Sequence, residues 1–513
     1  MFIMKHKIVL FLTLCAILSV SCAKESQRQS EIRDVEPAHT IPVKEALANL
    51  ENFLDNFDNV ATKSGVQCRA RKIKDVSTVY AAELMTKSSA DANDCDEILY
   101  VVNFEDNGGY AVLAADDRIE ADIIAVYDSG NRARVSTSGS LASSRRIYDD
   151  FPKTGDGIVV DENGERYLNP NTFSLYDEST GEFLVGDLTL EGGYLPNTDS
   201  DLGSSAKKIE PDSPFLEQRI IDYAKNSVRD KITGDLKDKS EDVGNSDNIR
   251  TVTFKSAPIF DTLVNPMLPF AKPWHQDSPF NDWFPTVRKW IAFGDKCKAS
   301  AGCVPLSLAK IMAYCEFPST VTYGGTSVNW ETIKGGGTDF DSQAAALLKK
   351  IAEGCHSWYF YGGTFTFPSR AASFLRKMGY GNVEYQDYST TAVLKSLKAS
   401  APVFICSIPQ TEKYNHDLMA SHGWIIDGYL DRSRDITIRT YKNDKFVEEK
   451  RTKTHNIMVH CDFGWKGAYN GYFTSGIFNF ADNGNTIFDQ GSYKNASKTN
   501  YKWHLKTITY DKP

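Results

Sequence analysis

"KASAGCVPLSLAKIMAY" (298–314) sets one cysteine, Cys303, between a glycine and a Val-Pro pair, where a helical pattern begins. Val304, Leu308, Ile311, Met312 and Cys315 recur at steps of four, three, one and three, the spacing of a buried helix face. Pro305 suits a first helical turn, where its missing N–H costs nothing, and Pro318 closes the pattern. Cys303 is therefore expected at the N-terminus of a buried helix. There the macrodipole and the first N–H groups favour an anion and lower a thiol pKa. A plain structural cysteine would fit the same stretch. The rest of the chain decides, because a thiol nucleophile needs a base and a group that fixes the base.

The chain has 513 residues, 41% hydrophobic and 24% charged, a globular composition with room for several domains. A net charge of −9 without a dense Lys/Arg block argues against a nucleic-acid partner. Aromatics at 12% suit either a groove for extended chains or an aromatic core. Lys5 and Lys7 precede the apolar run "IVLFLTLCAILSV" (8–20) and Ser21-Cys22. This reads as a signal peptide over 1–22, too short for a membrane span. Cys22 followed by the polar "AKESQRQSE" predicts a lipoprotein lipidated at Cys22 and attached to a membrane through that lipid. Ser19 stands where the usual motif has leucine, so free secretion is the alternative. The expected location is the outer membrane or cell surface, or the medium, with the periplasm open. Eight of the ten cysteines lie beyond the signal, without CxxC or zinc-site spacing; no metal or other cofactor is expected. Cys68 and Cys95 are the nearest candidates for a local disulfide.

After a polar tether (23–40), "VKEALANLENFLDNF" (43–57) has the apolar spacing of an amphipathic helix. The runs "VSTVYAAEL", "EILYVVNF", "GYAVLAADD" and "DIIAVYDSG" read as strands. Together they predict a small α+β domain over 41–135. In residues 136–250, "GIVVDENGERYLNP" (157–170) predicts a hairpin and "DSPFLEQRIIDYAKNSV" (212–228) a helix, among polar stretches typical of linker. Residues 251–513 then form one catalytic-sized domain. Within it, "KPWHQDSPFND" (272–282) offers Gln276, whose amide can donate to an oxyanion. "ASHGWIIDGYL" (420–430) puts His422 at the head of an apolar strand. "NIMVHCDFGWKGAYNGYF" (456–473) puts Asp462 and Trp465 just past another.

These segments, in this order, resemble the streptopain family of papain-like cysteine endopeptidases. The family pattern runs W-x-Q-x-x-P-[FY]-N, then G-C-V ahead of a helix, then His with an aliphatic run and D-G, then H-x-N-W-G-W-G-G. Here it is met by Trp274, Gln276, Pro279, Phe280 and Asn281, then Gly302-Cys303-Val304, then His422 to Gly428, then His460 to Gly467. "GGYAVLAADDRIEADIIAVYDSG" (108–130) is similar to the family's inhibitory propeptide. The resemblance implies an α+β fold: a papain-like domain with a helical half and an antiparallel β half, preceded by a small α+β pro-domain. It implies Cys303 as nucleophile, His422 as general base and acid, and Gln276 in the oxyanion hole with the Cys303 N–H. Trp465 would pack beside the histidine. His460 would be a strand neighbour.

Asp462 stands where the family has Asn, and Phe463 where it has Trp. A carboxylate can hold an imidazole N–H as an amide does, or Asp462 is only a turn residue. Lys466 replaces a glycine. The spacing from His422 to Asp462 is long, and the aromatic stretch 354–375 offers Tyr359, Tyr361 and Phe365 as specificity or packing residues. The expectation is an exported proenzyme that cleaves protein or peptide substrates and is inhibited by its own pro-domain. Activation would occur at a Lys or Arg between about 225 and 255, Arg250 among them. The alternatives are a catalytically dead, lipid-anchored binding protein, or another Cys-His acyl-transfer enzyme such as a transglutaminase-like protein.

Overall fold

Along "EILYVVNF" both alternating sets of side chains are apolar, so the strand needs cover on both faces of its sheet. A computed structural model of the chain provides it. The structure describes residues 39–63, 71–80, 97–130, 219–228, 249–268, 270–288, 296–360, 363–408, 421–443, 445–478 and 503–513, plus short strands within 158–186 and 410–416. Cys22, Cys68, Cys95 and Tyr361, with the expectations placed on them, lie outside the described residues.

The fold is α+β. In chain order the strands of the main sheet are β1 (Ile73–Tyr80), β2 (Glu97–Phe104), β3 (Tyr110–Ala114), β4 (Ile123–Tyr127), β5 (Ile249–Lys255), β6 (Ile259–Val264), β7 (Gly381–Asp387), β8 (Val403–Ile408), β9 (His422–Lys442), β10 (Lys445–Asp462), β11 (Gly471–Thr474) and β12 (Trp503–Asp511). Their order is β1-β2-β3-β4-β11-β10-β9-β8-β12-β7, with β5 and β6 also pairing with β9. The helices are α1 (Val43–Lys63), α2 (219–228), α3 (Cys303–Cys315), α4 (Trp330–Gly335), α5 (Phe340–Gly354), α6 (Pro368–Lys377) and α7 (Thr390–Lys398).

One face of β2 and β3 (Tyr100, Val102, Phe104, Ala111, Leu113) is covered by Ala46, Leu50, Phe53, Leu54 and Phe57 of α1. The expected helix at 43–57 thus forms, running on to Lys63. The other face (Leu99, Val101, Val112) shares a core with Ile220 and Ala224 of α2 and with Trp424, Phe463, Trp465 and Phe478. The N-terminal strands do not form a separate body. β4 pairs antiparallel with β11, Tyr472 opposite Val126, and joins both halves of the chain in one sheet.

The helical half packs around α3. The sequence gives this helix one buried face, yet every residue from Val304 to Ala313 is buried. The polar positions are used internally: Ser307 Oγ donates to the Gly423 carbonyl at 3.4 Å, and Lys310 pairs with Asp462. α3 ends at Cys315 because Glu316 turns left-handed, with φ 51°, just ahead of Pro318.

The long spacing from His422 to Asp462 is a twisted two-stranded arm. β9 and β10 pair from Ile425–Asp462 out to Lys442–Lys445. The outer part of β9 carries β5, with Arg250 opposite Tyr441, so the boundary expected at 250 falls inside a paired strand. The hairpin expected at 157–170 forms between Ile158–Val160 and Arg166–Leu168. No disulfide joins any two of the described cysteines (Cys297, Cys303, Cys315, Cys355, Cys406 and Cys461).

Candidate active site

Gly302 has φ 89°, a left-handed conformation that favours glycine, and a Cβ there would press on Thr364. This turn delivers Cys303 to the first position of α3. The thiol Sγ accepts a hydrogen bond from the Gly423 N–H at 3.2 Å, across 120 positions of sequence. Gly423 follows His422 in β9, so the nucleophile candidate and the base candidate lie on adjoining segments. A Cβ at Gly423 would stand 2.8 Å from the Phe404 ring; the close approach of β9 to α3 needs a glycine here.

His422 is only 4% exposed. Its Nε2 lies 3.0 Å from the Phe463 carbonyl oxygen. A carbonyl only accepts, so Nε2 carries the proton and this contact fixes the tautomer. Trp465 stacks on the imidazole with ring centroids 4.4 Å apart at 29°; Trp424 and Phe463 flank it at 6.1 and 6.5 Å. The histidine is walled by aromatic surface, and Trp465 sits where the sequence puts it.

Asp462 differs from the expectation that it holds the imidazole. Its Oδ2 is paired with the Lys310 ammonium, and its Oδ1 accepts from the Gly464 N–H at 3.0 Å. Burial pushes its carboxyl up, but the Lys310 charge and hydrogen bond more than offset this and hold it below the ordinary range. The physical reason lies in α3. A lysine on a fully buried helix requires a buried counter-charge, and Asp462 supplies it. The backbone carbonyl of the next residue then holds the histidine. Lys310 and this carbonyl escaped the sequence reading. A lone cation in the apolar run "SLAKIMAY" was the available signal.

Gln276 is buried, 5% exposed. Its Oε1 accepts from Ser300 Oγ at 3.0 Å, while its Nε2 has no hydrogen-bond partner among the described residues. Its backbone carbonyl accepts from the Ala301 N–H at 2.8 Å, which ties the 272–282 segment to the turn before Cys303. The hairpin of Trp358–Phe360 and Gly363–Phe365 borders the same turn, with Thr364 Oγ1 donating to the Ser300 carbonyl at 2.5 Å. Within it, Tyr359 is held by Phe284 and Lys349, and Phe365 is buried against Phe367. Lys466 takes φ 56°, the conformation for which a glycine is suited, and its N–H donates to the Trp274 carbonyl.

His460 is a different kind of site. It lies between two carboxylates, Nδ1 at 2.6 Å from Asp427 Oδ1 and Nε2 at 2.9 Å from Asp128 Oδ2. Burial lowers its pKa, but the two aspartates more than compensate and push it up to about 10. It is a charged link between the N-terminal strands and β10. Next to it, the Asp128 N–H donates to the Asn470 carbonyl and Ser129 Oγ to the Gly467 carbonyl, gripping the loop that carries Trp465. Elsewhere, desolvation pushes the buried thiols of Cys355 and Cys461 up, as expected for structural cysteines.

Residues 274–473 match the profile of the Peptidase C10 family. No curated protein matches the chain. Among solved structures, a prointerpain A fragment from Prevotella intermedia is similar at 15% identity and TM-score 0.41, covering 86% of this chain and 100% of that one. The stretch matched by the Peptidase C10 family, a family of peptidases, is the one that carries Gln276, Cys303, His422 and Trp465.

Proposed function

We propose that the chain is an exported zymogen whose mature form cleaves peptide bonds by acyl transfer. Cys303 attacks the scissile carbonyl as its proton passes to His422. With Nε2–H committed to the Phe463 carbonyl, the nitrogen that exchanges this proton is Nδ1. The tetrahedral oxyanion is received by the Gln276 amide and the Cys303 N–H. Collapse breaks the C–N bond, and His422 returns the proton to the leaving amine. Water, activated by the same imidazole, then attacks the thioester, releasing the acid and restoring the thiol. The observation that carries this reading is the 3.2 Å contact between Cys303 Sγ and the residue after His422, made at a helix N-terminus.

Latency is assigned to the pro-domain, residues 41–135, with 136–250 as the extended pro-region. β4 pairs with β11 and the following residues grip the loop of Trp465, which supports this assignment. The apolar run ahead of Cys22 supports export and lipid attachment at Cys22.

Incubating the full chain under reducing conditions beside Cys303→Ala tests the reading. Wild type is expected to be cut into an N-terminal fragment and a shorter chain on a denaturing gel, generate new N-termini from casein, and be labelled by a thiol-directed epoxide; Cys303→Ala is expected to do none of these. Equal processing and casein cleavage by both proteins would overturn it. The intact mass of the protein expressed with its own leader reads the lipid at Cys22 directly.

A further inference from the structure

The two ends of the Gln276 amide have different fates. Oε1 accepts from Ser300 Oγ at 3.0 Å, whereas Nε2 is buried without a partner among the described residues. Buried amide nitrogens are normally satisfied, and an oxyanion arriving at Cys303 would satisfy this one. Rotating the amide by half a turn would instead aim an oxygen at the developing negative charge. The Ser300 hydroxyl opposes that rotation. The Gly302 N–H donates to Ser300 Oγ at 3.4 Å, and the serine's single proton goes to Gln276 Oε1, an acceptor it would lose if the amide turned. Ser300 is itself 5% exposed, and its carbonyl is held by Thr364 Oγ1 at 2.5 Å.

We propose that Ser300 is a positioning residue: it fixes which end of the Gln276 amide faces the reacting carbonyl, with Thr364 of the 358–365 hairpin holding Ser300 in turn. The inference rests on the peptidase reading of Gln276. Its sequence signal is weak, because Ser300 is a small residue three before the nucleophile and no part of the G-C-V motif. Preorganised donors lose their effect when their orientation is left loose.

The test compares Ser300→Ala, Gln276→Ala and the double variant. Each is carried as the full chain through the same processing, and kcat is referred to the amount of reactive Cys303. Gln276→Ala is expected to lower kcat about 100-fold. Ser300→Ala should lower kcat about 10-fold with KM within about twofold. The double variant should be no worse than Gln276→Ala alone, because both act through one amide. Alkylation of Cys303 by iodoacetamide, which forms no oxyanion, should keep its wild-type rate in all three. Additive losses, or slowed alkylation in Ser300→Ala, would assign the serine a structural role and overturn the proposal. Ser300→Ala at wild-type kcat beside an impaired Gln276→Ala would overturn the positioning alone. Gln276→Ala at wild-type kcat would overturn the oxyanion reading beneath it.

Discussion

Asp462 occupies the place where the streptopain pattern has an asparagine, and Asp462→Asn would restore the family amide. The surroundings predict harm. Lys310 and Asp462 are 6% and 10% exposed at their side chains, and removing one member of a buried ion pair leaves the other charge uncompensated. Asp462→Asn is expected to lose about 3 kcal/mol of unfolding free energy in a urea titration. Adding Lys310→Met should recover most of that loss. Unchanged stability in the single variant would show that Lys310 finds its compensation elsewhere. The pH dependence follows from the same pair. The folded carboxyl lies below its ordinary value, so the pair's contribution is present above the unfolded pKa and is lost as pH falls through the lowered one. At this scale the candidate nucleophile was legible because glycine, cysteine and the helix onset coincide in one stretch. The group that holds His422 was not legible, because a backbone carbonyl leaves no mark in the side-chain sequence.

Among elements, the pairing of β4 with β11 and the charged link beside it decide how the N-terminal segment is held. His460 on β10 faces Asp427 of β9 and Asp128 after β4, with the Tyr472 ring alongside, and Arg71 also reaches Asp128 at 3.3 Å. Its pKa is raised to about 10, so its contribution is complete below the unfolded value of about 6.5 and is lost as pH climbs from there towards 10. Burial pushes Asp128 up, but His460 and Arg71 hold it below its ordinary value. Its share is therefore present above the unfolded carboxyl pKa and lost only as pH falls below it. Full-length Cys303→Ala protein should lose more urea stability between pH 6.5 and 10 than the same protein carrying His460→Gln. Equal slopes would remove His460 from the junction. The strands β1 to β4 were readable from alternation and apolar runs, as were α1 and α2. The joining of two regions in one sheet was not. Strand pairing between Tyr472 and Val126 is set by backbone edges, and nothing in either short sequence names its partner. The arm of β9 and β10 was readable as a hairpin from the turn signal Asn443-Asp444, and Lys442 does pair with Lys445; only its length read as an insertion, because its polar outer half has no core to fill.

For the whole molecule, the continuous sheet constrains where the proposed activation can occur and what a cut alone can do. Proteolysis requires a segment free to leave its structure. Arg250, within the expected window, is paired opposite Tyr441, and cutting there means peeling β5 from the arm. Lys225 lies on α2, whose Ile221, Ala224 and Val228 are buried in the shared core. Arg229, Lys231, Lys237 and Lys239 lie between these two elements, and the mature N-terminus is predicted to fall between 230 and 249. N-terminal sequencing of the processed chain decides this, and a product beginning at Thr251 would contradict it. Such a cut leaves the pairing of β4 with β11, the core shared by α2 with Ile477 and Phe478, and the Asp128–His460 contact intact. None of these depends on covalent continuity through the linker. Cys303→Ala protein nicked in trans by active enzyme should therefore elute from gel filtration at neutral pH as one species containing both fragments, and separate only when denaturant is added. Immediate separation after the cut would mean that the linker, and not the sheet, holds the pro-segment in place.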